Sequence, residues 1–439
     1  IAIAGCRDNS VHAEINDIAF VPAYKDGQLG FNVLVGGFFS ARRCEAAIAL
    51  NAWVPPEDVV ALCLAILVVY RDNGPRANRQ KSRLMWLIDE MGLEPFRAAV
   101  EQQLGFNLAS AAPKDEIVWE KRDHIGIYPQ KQPGLNYIGL HIPVGRLFAA
   151  DMFELARLAE VYGNGELRLS VEQNVILPHV PDSRLAVLQL EPILQKFSLT
   201  PSPLSRSLVS CTGAQFCNFA LVETKNRAVA LAAALDRELD LPRPVRMHWT
   251  GCPNSCGQPQ VADIGLMGTK VRKNGQTVEG VDIYMGGKVG KDAHLGTCVQ
   301  KGVPCEDLQP VVRNLLMQHF GATPKAGFEF DEALDLLPLG AKEPEPPAVE
   351  APPATVQFAK SGKTVQCNAN DLILEVAERA GIALDSNCRA GACGTCKQKL
   401  LAGNVIDEGG LSSLSAEDKE QGYILTCSTR PQGLVVIDC

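Results

Sequence analysis

Eight of the fifteen cysteines fall into two patterns that restrict the folds open to this chain. "CTGAQFC" places Cys211 and Cys217 with five residues between them, and "GCPNSCG" places Cys252 and Cys256 with three. Far downstream, "NCRAGACGTC" gives Cys388, Cys393 and Cys396 as C-x4-C-x2-C, and "YILTCS" supplies Cys427. Both sets lie in Gly-bearing loops. Such loops turn tightly, so thiols distant in sequence can be gathered at one point. The chain must therefore bring two remote loops together twice.

Four thiolates in two close pairs can hold a tetrahedral zinc ion or an iron–sulfur cluster. Zinc ribbons prefer a two-residue gap, and the gaps of the first set are wider. Gly213, Gly251 and Gly257 would let backbone approach a bulky inorganic core, and amides in such turns can point at its sulfurs. The first set is read as a cluster site, with zinc and accidental burial as the alternatives. The second set has the spacing of a plant-type 2Fe–2S centre, wrapped by Gly391 and Gly394, with zinc as the alternative.

Composition agrees with metal chemistry. The cysteine count is odd and the spacings are short, which disfavours a disulfide framework. The net charge is -8, from 42 basic and 50 acidic residues. That balance speaks against a nucleic-acid surface. The longest apolar run, "ALCLAILVV", is too short to span a membrane. No secretory signal is read, and a cytoplasmic monomer is expected. The chain opens "IAIAGCRDNS", without Met and with a strand in progress, and is read as a piece of a longer protein.

Hydrophobic periodicity predicts strands at "INDIAFVPA" and "GFNVLVGG", then helices over 57–71 and 80–104. A strand–helix–strand–strand–helix unit follows, closing on a helix at "DSRLAVLQLEPILQKFS". "GCRDNSVHAEINDIAFV" from Gly5 aligns without a gap on "GCPNSCGQPQVADIGLM" from Gly251, and "FNVLVGG" aligns on "VDIYMGG". The scaffold is thus a duplicated α/β unit. Ser10 falls where the second copy has Cys256, so the metal chemistry is confined to that copy. The expected division is 1–106 for the remainder of the first repeat, 117–204 for a ferredoxin-like half, and 205–339 for the cluster-binding repeat. A Pro/Glu-rich linker over 340–354 and a small domain over 355–439, with the helix of a β-grasp fold at "DLILEVAERAGIAL", complete it.

The motif "CTGAQFC…ETK" with "GCPNSCGQ…ADIGLMG" resembles the signature of siroheme-dependent nitrite and sulfite reductases, over residues 1 to about 322. The last domain resembles plant-type ferredoxins. The implied fold class is α+β: a duplicated siroheme-reductase scaffold, made of a ferredoxin-like half and α/β cluster-binding units, followed by a β-grasp 2Fe–2S ferredoxin domain. The implied cofactors are siroheme, a 4Fe–4S cluster on Cys211, Cys217, Cys252 and Cys256, and a 2Fe–2S cluster on Cys388, Cys393, Cys396 and Cys427. Cys256 would also be the bridging axial ligand of the siroheme iron, and Asn254, between two ligands, would touch the tetrapyrrole. The wording is similar to the ferredoxin-dependent, nitrite-reducing branch, which implies six-electron reduction of nitrite to ammonium by reduced ferredoxin. The tethered 2Fe–2S domain would serve as relay or donor. Sulfite reduction is the alternative, as is a non-catalytic electron-transfer subunit. The family's anion-binding cations match no residue of this sequence.

The remaining cysteines, Cys6, Cys44, Cys63, Cys298, Cys305, Cys367 and Cys439, are read as buried or incidental, with Cys298 and Cys305 a weak candidate pair. His248 is read as a hydrogen-bonded loop residue. "RLSVEQNV" is read as core strand, with Gln173 and Asn174 as secondary candidates for cofactor contact. In "GTKVRKNG", Lys270, Arg272 and Lys273 are the candidate docking site for an acidic ferredoxin, the alternative being a solvated hairpin.

Overall fold

A continuous apolar run, Ile18 to Val21, buried on both faces, anchors the first sheet, here described from a computed structural model. The structure describes all residues except 6–7, 42, 79–80, 117–121, 275, 291–292, 329–352, 387–390, 392–393 and 408–412. Strands Ala2–Ile3, Ile18–Lys25, Gln28–Val35 and Ile48–Val54 lie in that order. The first pair is parallel and the rest are antiparallel. Asp26 and Gly27 both take positive φ, the two-residue turn that matches strand twist. Ile18, Phe20, Val33 and Val35 bury one face against helices Val59–Asn73, Leu84–Met91 and Leu93–Leu104. The single helix expected over 80–104 is two helices, because Gly92 sits at φ +87 and breaks the hydrogen-bond ladder.

The second copy repeats this plan. Its sheet runs Leu208–Ser210, Met247–Thr250, Ile264–Lys273, Gln276–Met285 and Thr297–Pro304. The first two pairings are parallel and the last two antiparallel. His248 pairs with Gly265 as Ala2 pairs with Ala19, and the short 3-10 turns Ala13–Ile15 and Pro259–Val261 occupy matching places. Asn9 and His12 have positive φ in one copy, and Ser255 and Gln258 in the other. Helices Lys225–Glu238 and Leu308–Phe320 cover the second sheet through Leu231, Leu235, Val312 and Leu316. They are pinned by Arg313 Nε donating to Glu238 at 2.8 Å.

Between the copies lies a four-stranded sheet of Gly126–Pro129, Leu135–Leu140, Val175–Pro181 and Arg168–Leu169, backed by helix Ala149–Tyr162. The closing helix expected at 182–198 is instead two short helices, Leu185–Leu188 and Ile193–Lys196. Pro192 is the reason: it lacks an N–H and pushes Glu191 away from helical geometry. The last domain orders its strands Lys363–Asn368, Pro353–Phe358, Thr429–Ile437, Lys397–Asp407 and Tyr423–Leu425 around helix Ile373–Arg379. The parallel pairing of Pro353–Phe358 with Thr429–Ile437 gives the β-grasp arrangement. No helix among the described residues is long and apolar enough to cross a membrane.

Candidate metal centres

Strands Leu208–Ser210 and Met247–Thr250 are parallel neighbours, with Ser210 opposite Trp249. Both therefore end on the same edge, and each is followed at once by a cysteine loop. This topology joins Cys211 and Cys217 to Cys252 and Cys256 across some forty residues of sequence. Backbone bonds stitch the loops together: Cys211 N–H donates to Trp249 O at 3.0 Å, and Leu221 N–H to Gly251 O at 2.7 Å. The Gly251 N–H donates to the Cys211 sulfur at 3.1 Å.

The glycines are required by space. A Cβ on Gly213 would lie 2.4 Å from Thr224 Oγ1, and one on Gly257 would lie 2.3 Å from Trp249 O. Gly213 also sits at φ +72. Larger residues would push the loops apart and move the thiols.

The Cys252 and Cys256 thiols sense the other sulfurs of the set. Burial pushes the Cys252 thiol up to about 11, and Cys256, Cys211 and Cys217 add in the same direction, against the Asn254 N–H. Cys256 is the exposed member, yet partial burial and the Cys211 and Cys217 thiols raise it too. Thiols that oppose each other's ionisation suit a cationic core that offsets the charge. Among the described residues, no three His, Cys, Asp or Glu side chains converge tightly enough to hold a single ion. Four thiols, a sulfur-directed amide and a cradle only Gly can line fit a multi-atom cluster.

In the last domain, the Cys396 and Cys427 sulfurs are 3.1 Å apart and both residues are buried. Gly391 N–H donates to the Cys427 sulfur at 3.2 Å, and Gly391 and Gly394 both have positive φ. Cys388 and Cys393 lie outside the described residues. The residues present fit a second thiolate-held centre.

Other candidates separate. Cys298 lies near the start of strand Thr297–Pro304 and Cys305 follows its end, so they form no pair. Cys305 packs behind Cys252 with Leu221 and Val222. Cys6 lies outside the described residues. His248 is buried, with Nδ1 at 3.0 Å from Gly257 O. Lys270 and Arg272 are exposed on one face of their hairpin. Lys273 faces the other way and pairs with Asp307 at 2.7 Å, so the three do not form one surface. Asn174 caps the Ile142 N–H from a buried site, as a core residue does.

Gln173 lies in the turn that precedes strand Val175–Pro181 and not in a core strand. Its side chain exchanges two hydrogen bonds with the backbone of Ser210, the residue before Cys211. Lys225, from the "ETK" motif, donates to Ser210 O at 3.1 Å and to Val144 O. Burial, then the Arg146 charge, lowers the Lys225 pKa, while Cys211 acts the other way.

Residues 1–108 and 203–320 match the nitrite and sulphite reductase 4Fe-4S domain model, and residues 128–192 match the nitrite/sulfite reductase ferredoxin-like half domain. The chain belongs to the nitrite and sulphite reductase family. In this family member, residues 356–432 also match the 2Fe-2S iron-sulfur cluster binding domain. It is 74% identical over 326 residues to the ferredoxin–nitrite reductase of Leptolyngbya laminosa, covering 74% of this chain and 64% of that protein. Identity to the Synechococcus elongatus enzyme is 67%, covering 73% of this chain and 63% of the relative. The chloroplastic enzyme of Spinacia oleracea is 54% identical, with 74% of this chain and 55% of the relative covered. The structure of Mycobacterium tuberculosis NirA superposes with a TM-score of 0.67 at 30% identity, over 74% of this chain and 60% of that one. The chain thus spans a little under two thirds of the length of the Leptolyngbya laminosa and Synechococcus elongatus relatives. The cofactors of its families are a 4Fe–4S cluster with siroheme, and a 2Fe–2S cluster.

Proposed function

We propose that this chain is the cluster-bearing part of a ferredoxin-dependent nitrite reductase, which converts nitrite to ammonium in six one-electron steps. The observation that carries the reading is the joining of two cysteine loops at one sheet edge, around a glycine cradle, in a chain 74% identical to a ferredoxin–nitrite reductase. Cys211, Cys217, Cys252 and Cys256 would hold the 4Fe–4S cluster, Cys256 would also serve the siroheme iron, and Asn254 would contact the tetrapyrrole. Cys388, Cys393, Cys396 and Cys427 would hold the 2Fe–2S cluster. The bound siroheme and clusters supply the electron chemistry.

The protein's own residues do the rest. The Gly251 amide donates to the Cys211 sulfur, which favours the more reduced, more negative cluster. Buried Trp249 and the cradle glycines hold both loops in register and keep water from the buried side of the thiols.

The 2Fe–2S domain is the electron relay. Plant-type centres lie near about −400 mV. The Pro/Glu-rich sequence before the last domain reads as a tether, and a tethered donor acts at an effective concentration on the order of millimolar. We place the protein in the cytoplasm as a monomer, with the division 1–106, 117–204 and 205–339, a linker from 340, and a last domain that starts at 353 rather than 355 because strand Pro353–Phe358 already belongs to its sheet.

The test measures kcat/KM of the cofactor-loaded protein for nitrite and for sulfite with one reduced ferredoxin, scoring ammonium and sulfide. A strong nitrite preference is expected. Preference for sulfite would move the chain to the other branch of its family, and absence of siroheme from the protein would make it an electron carrier.

A further inference from the structure

Among the described residues, strand Leu208–Ser210 is the outer strand of its sheet, with a neighbouring strand on one side only. An outer strand must find partners for its N–H and C=O groups elsewhere. At Ser210, which is fully buried, that partner is one side chain. Gln173 Nε2 donates to Ser210 O at 2.8 Å, and Gln173 Oε1 accepts from Ser210 N–H at 3.1 Å. The amide imitates one rung of a β-ladder. Lys225 Nζ reaches the same carbonyl at 3.1 Å and also donates to Val144 O.

The parts come from different units. Gln173 and Val144 belong to the ferredoxin-like half, while Ser210 and Lys225 belong to the cluster-bearing repeat. The backbone is unusual on the first side. Gln173 has φ +67, and Val144, a β-branched residue, has φ +48. Gly145, at φ +66, allows the approach, since a Cβ there would lie 2.7 Å from Gln173 Cβ. Unfavourable backbone geometry persists only where the surroundings over-determine it. Here it places two donors and one acceptor on the residue that immediately precedes Cys211.

We propose that Gln173 and Lys225 are positioning residues for Cys211, making the ferredoxin-like half part of the support of the 4Fe–4S cluster. The proposal rests on Cys211 being a cluster ligand. Neither residue touches the cluster. Each fixes the Ser210 carbonyl, and through one peptide the direction in which the Cys211 thiolate points. Groups that orient a ligand in this way change cluster retention and electronics, whereas simple interdomain packing changes only stability.

The test uses the full cofactor-loaded chain, whose 2Fe–2S centre is an internal reference. Gln173→Ala and Lys225→Met are expected to speed loss of 4Fe–4S iron to a chelator by about tenfold. They should also alter the EPR signal of that reduced cluster, with the 2Fe–2S signal and its loss rate unchanged. The double variant should be far from additive, because both residues act on one carbonyl. Gln173→Glu keeps the acceptor for Ser210 N–H and removes the donor, so it should fall between wild type and Gln173→Ala even if the alanine variant folds poorly. Retention within twofold and an unaltered signal in these variants, while Cys211→Ser loses the cluster, would overturn the positioning role alone. Equal acceleration at both clusters would overturn it as well, as general loosening. A cluster that survives Cys211→Ser would instead overturn the ligand assignment on which the role depends.

Discussion

His12 and Gln258 occupy equivalent positions in the two copies, and they bond to each other, with Nδ1 of His12 at 2.7 Å from Oε1 of Gln258. A residue that meets its own counterpart places the pseudo-twofold axis between them. Both take positive φ, at +48 and +56. The His248 ring stacks on His12 with centroids 6.5 Å apart, and its Nδ1 faces the Gly257 and Gln258 carbonyls. The axis therefore runs directly behind the loop that carries Cys256.

This contact should be costly to cut. His12 is 2% exposed, so Gln258→Ala removes a partner from a buried imidazole. A loss of about 1–3 kcal/mol is expected. In a double-mutant cycle with His12→Ala, coupling of about 1 kcal/mol should appear in the unfolding transition. Strict additivity would mean the two residues do not act as a pair.

The cysteine assignment makes a selective prediction. Cys217→Ser should remove the 4Fe–4S signal and leave the 2Fe–2S signal intact, and Cys427→Ser should do the reverse. Cys298→Ser and Cys305→Ser should leave both, because one thiol lies near the start of a strand and the other follows its end. Iron content and EPR of the reduced protein decide the matter. Loss of both clusters from a single ligand substitution would contradict two independent centres.

The two cysteine sets stand out in the sequence because their spacings are short and their loops carry glycine. The duplication is legible for a similar reason: Gly5, Cys6 and Asp17 keep their intervals at Gly251, Cys252 and Asp263. Gln173 is not legible, since its partner lies 37 residues away in another unit and the contact exists only after both have folded. The breaks at Gly92 and Pro192 are carried by residues with plain local signals, which the surrounding helical periodicity overrides in a window reading. Lys273 was separable in principle. Alternation along strand Ile264–Lys273 puts Lys270 and Arg272 on one face and Lys273 on the other.

Stability should depend on pH through His124. Its Nε2 lies 2.6 Å from Asp8 Oδ2, and its Nδ1 lies 3.0 Å from the Tyr137 hydroxyl. The bond to Asp8 raises its pKa against the effect of burial, with Glu172 and Asp123 also raising it. A pKa raised on folding stabilises fully below the unfolded value, near about 6.5, and the effect is lost as pH rises through the higher folded value. His124→Asn should therefore cost about 1 kcal/mol near pH 6 and little near pH 9. Melting curves at the two pH values measure this. An equal cost at both would assign His124 a packing role only.

The hairpin Ile264–Lys273 and Gln276–Met285 divides its basic residues by face, and that division predicts how an acidic electron donor would respond. Lys270 and Arg272 are exposed together on one face. Lys273 is bound to Asp307 at 2.7 Å and approaches Glu306 at 3.6 Å, so its charge is already offset locally. Long-range attraction acts through exposed charge, and salt screens it over about 8–10 Å. Lys270→Glu with Arg272→Glu should raise the KM for reduced ferredoxin several-fold at low ionic strength and flatten its salt dependence, with kcat nearly unchanged. Lys273→Glu should leave the salt profile as it is and lower the melting temperature slightly by setting three carboxylates side by side. Steady-state kinetics across a salt series separates the two faces. An unaltered profile in the Lys270 and Arg272 double variant would exclude this hairpin as the docking surface, and a large effect from Lys273→Glu would show that the ion pair opens when the donor binds.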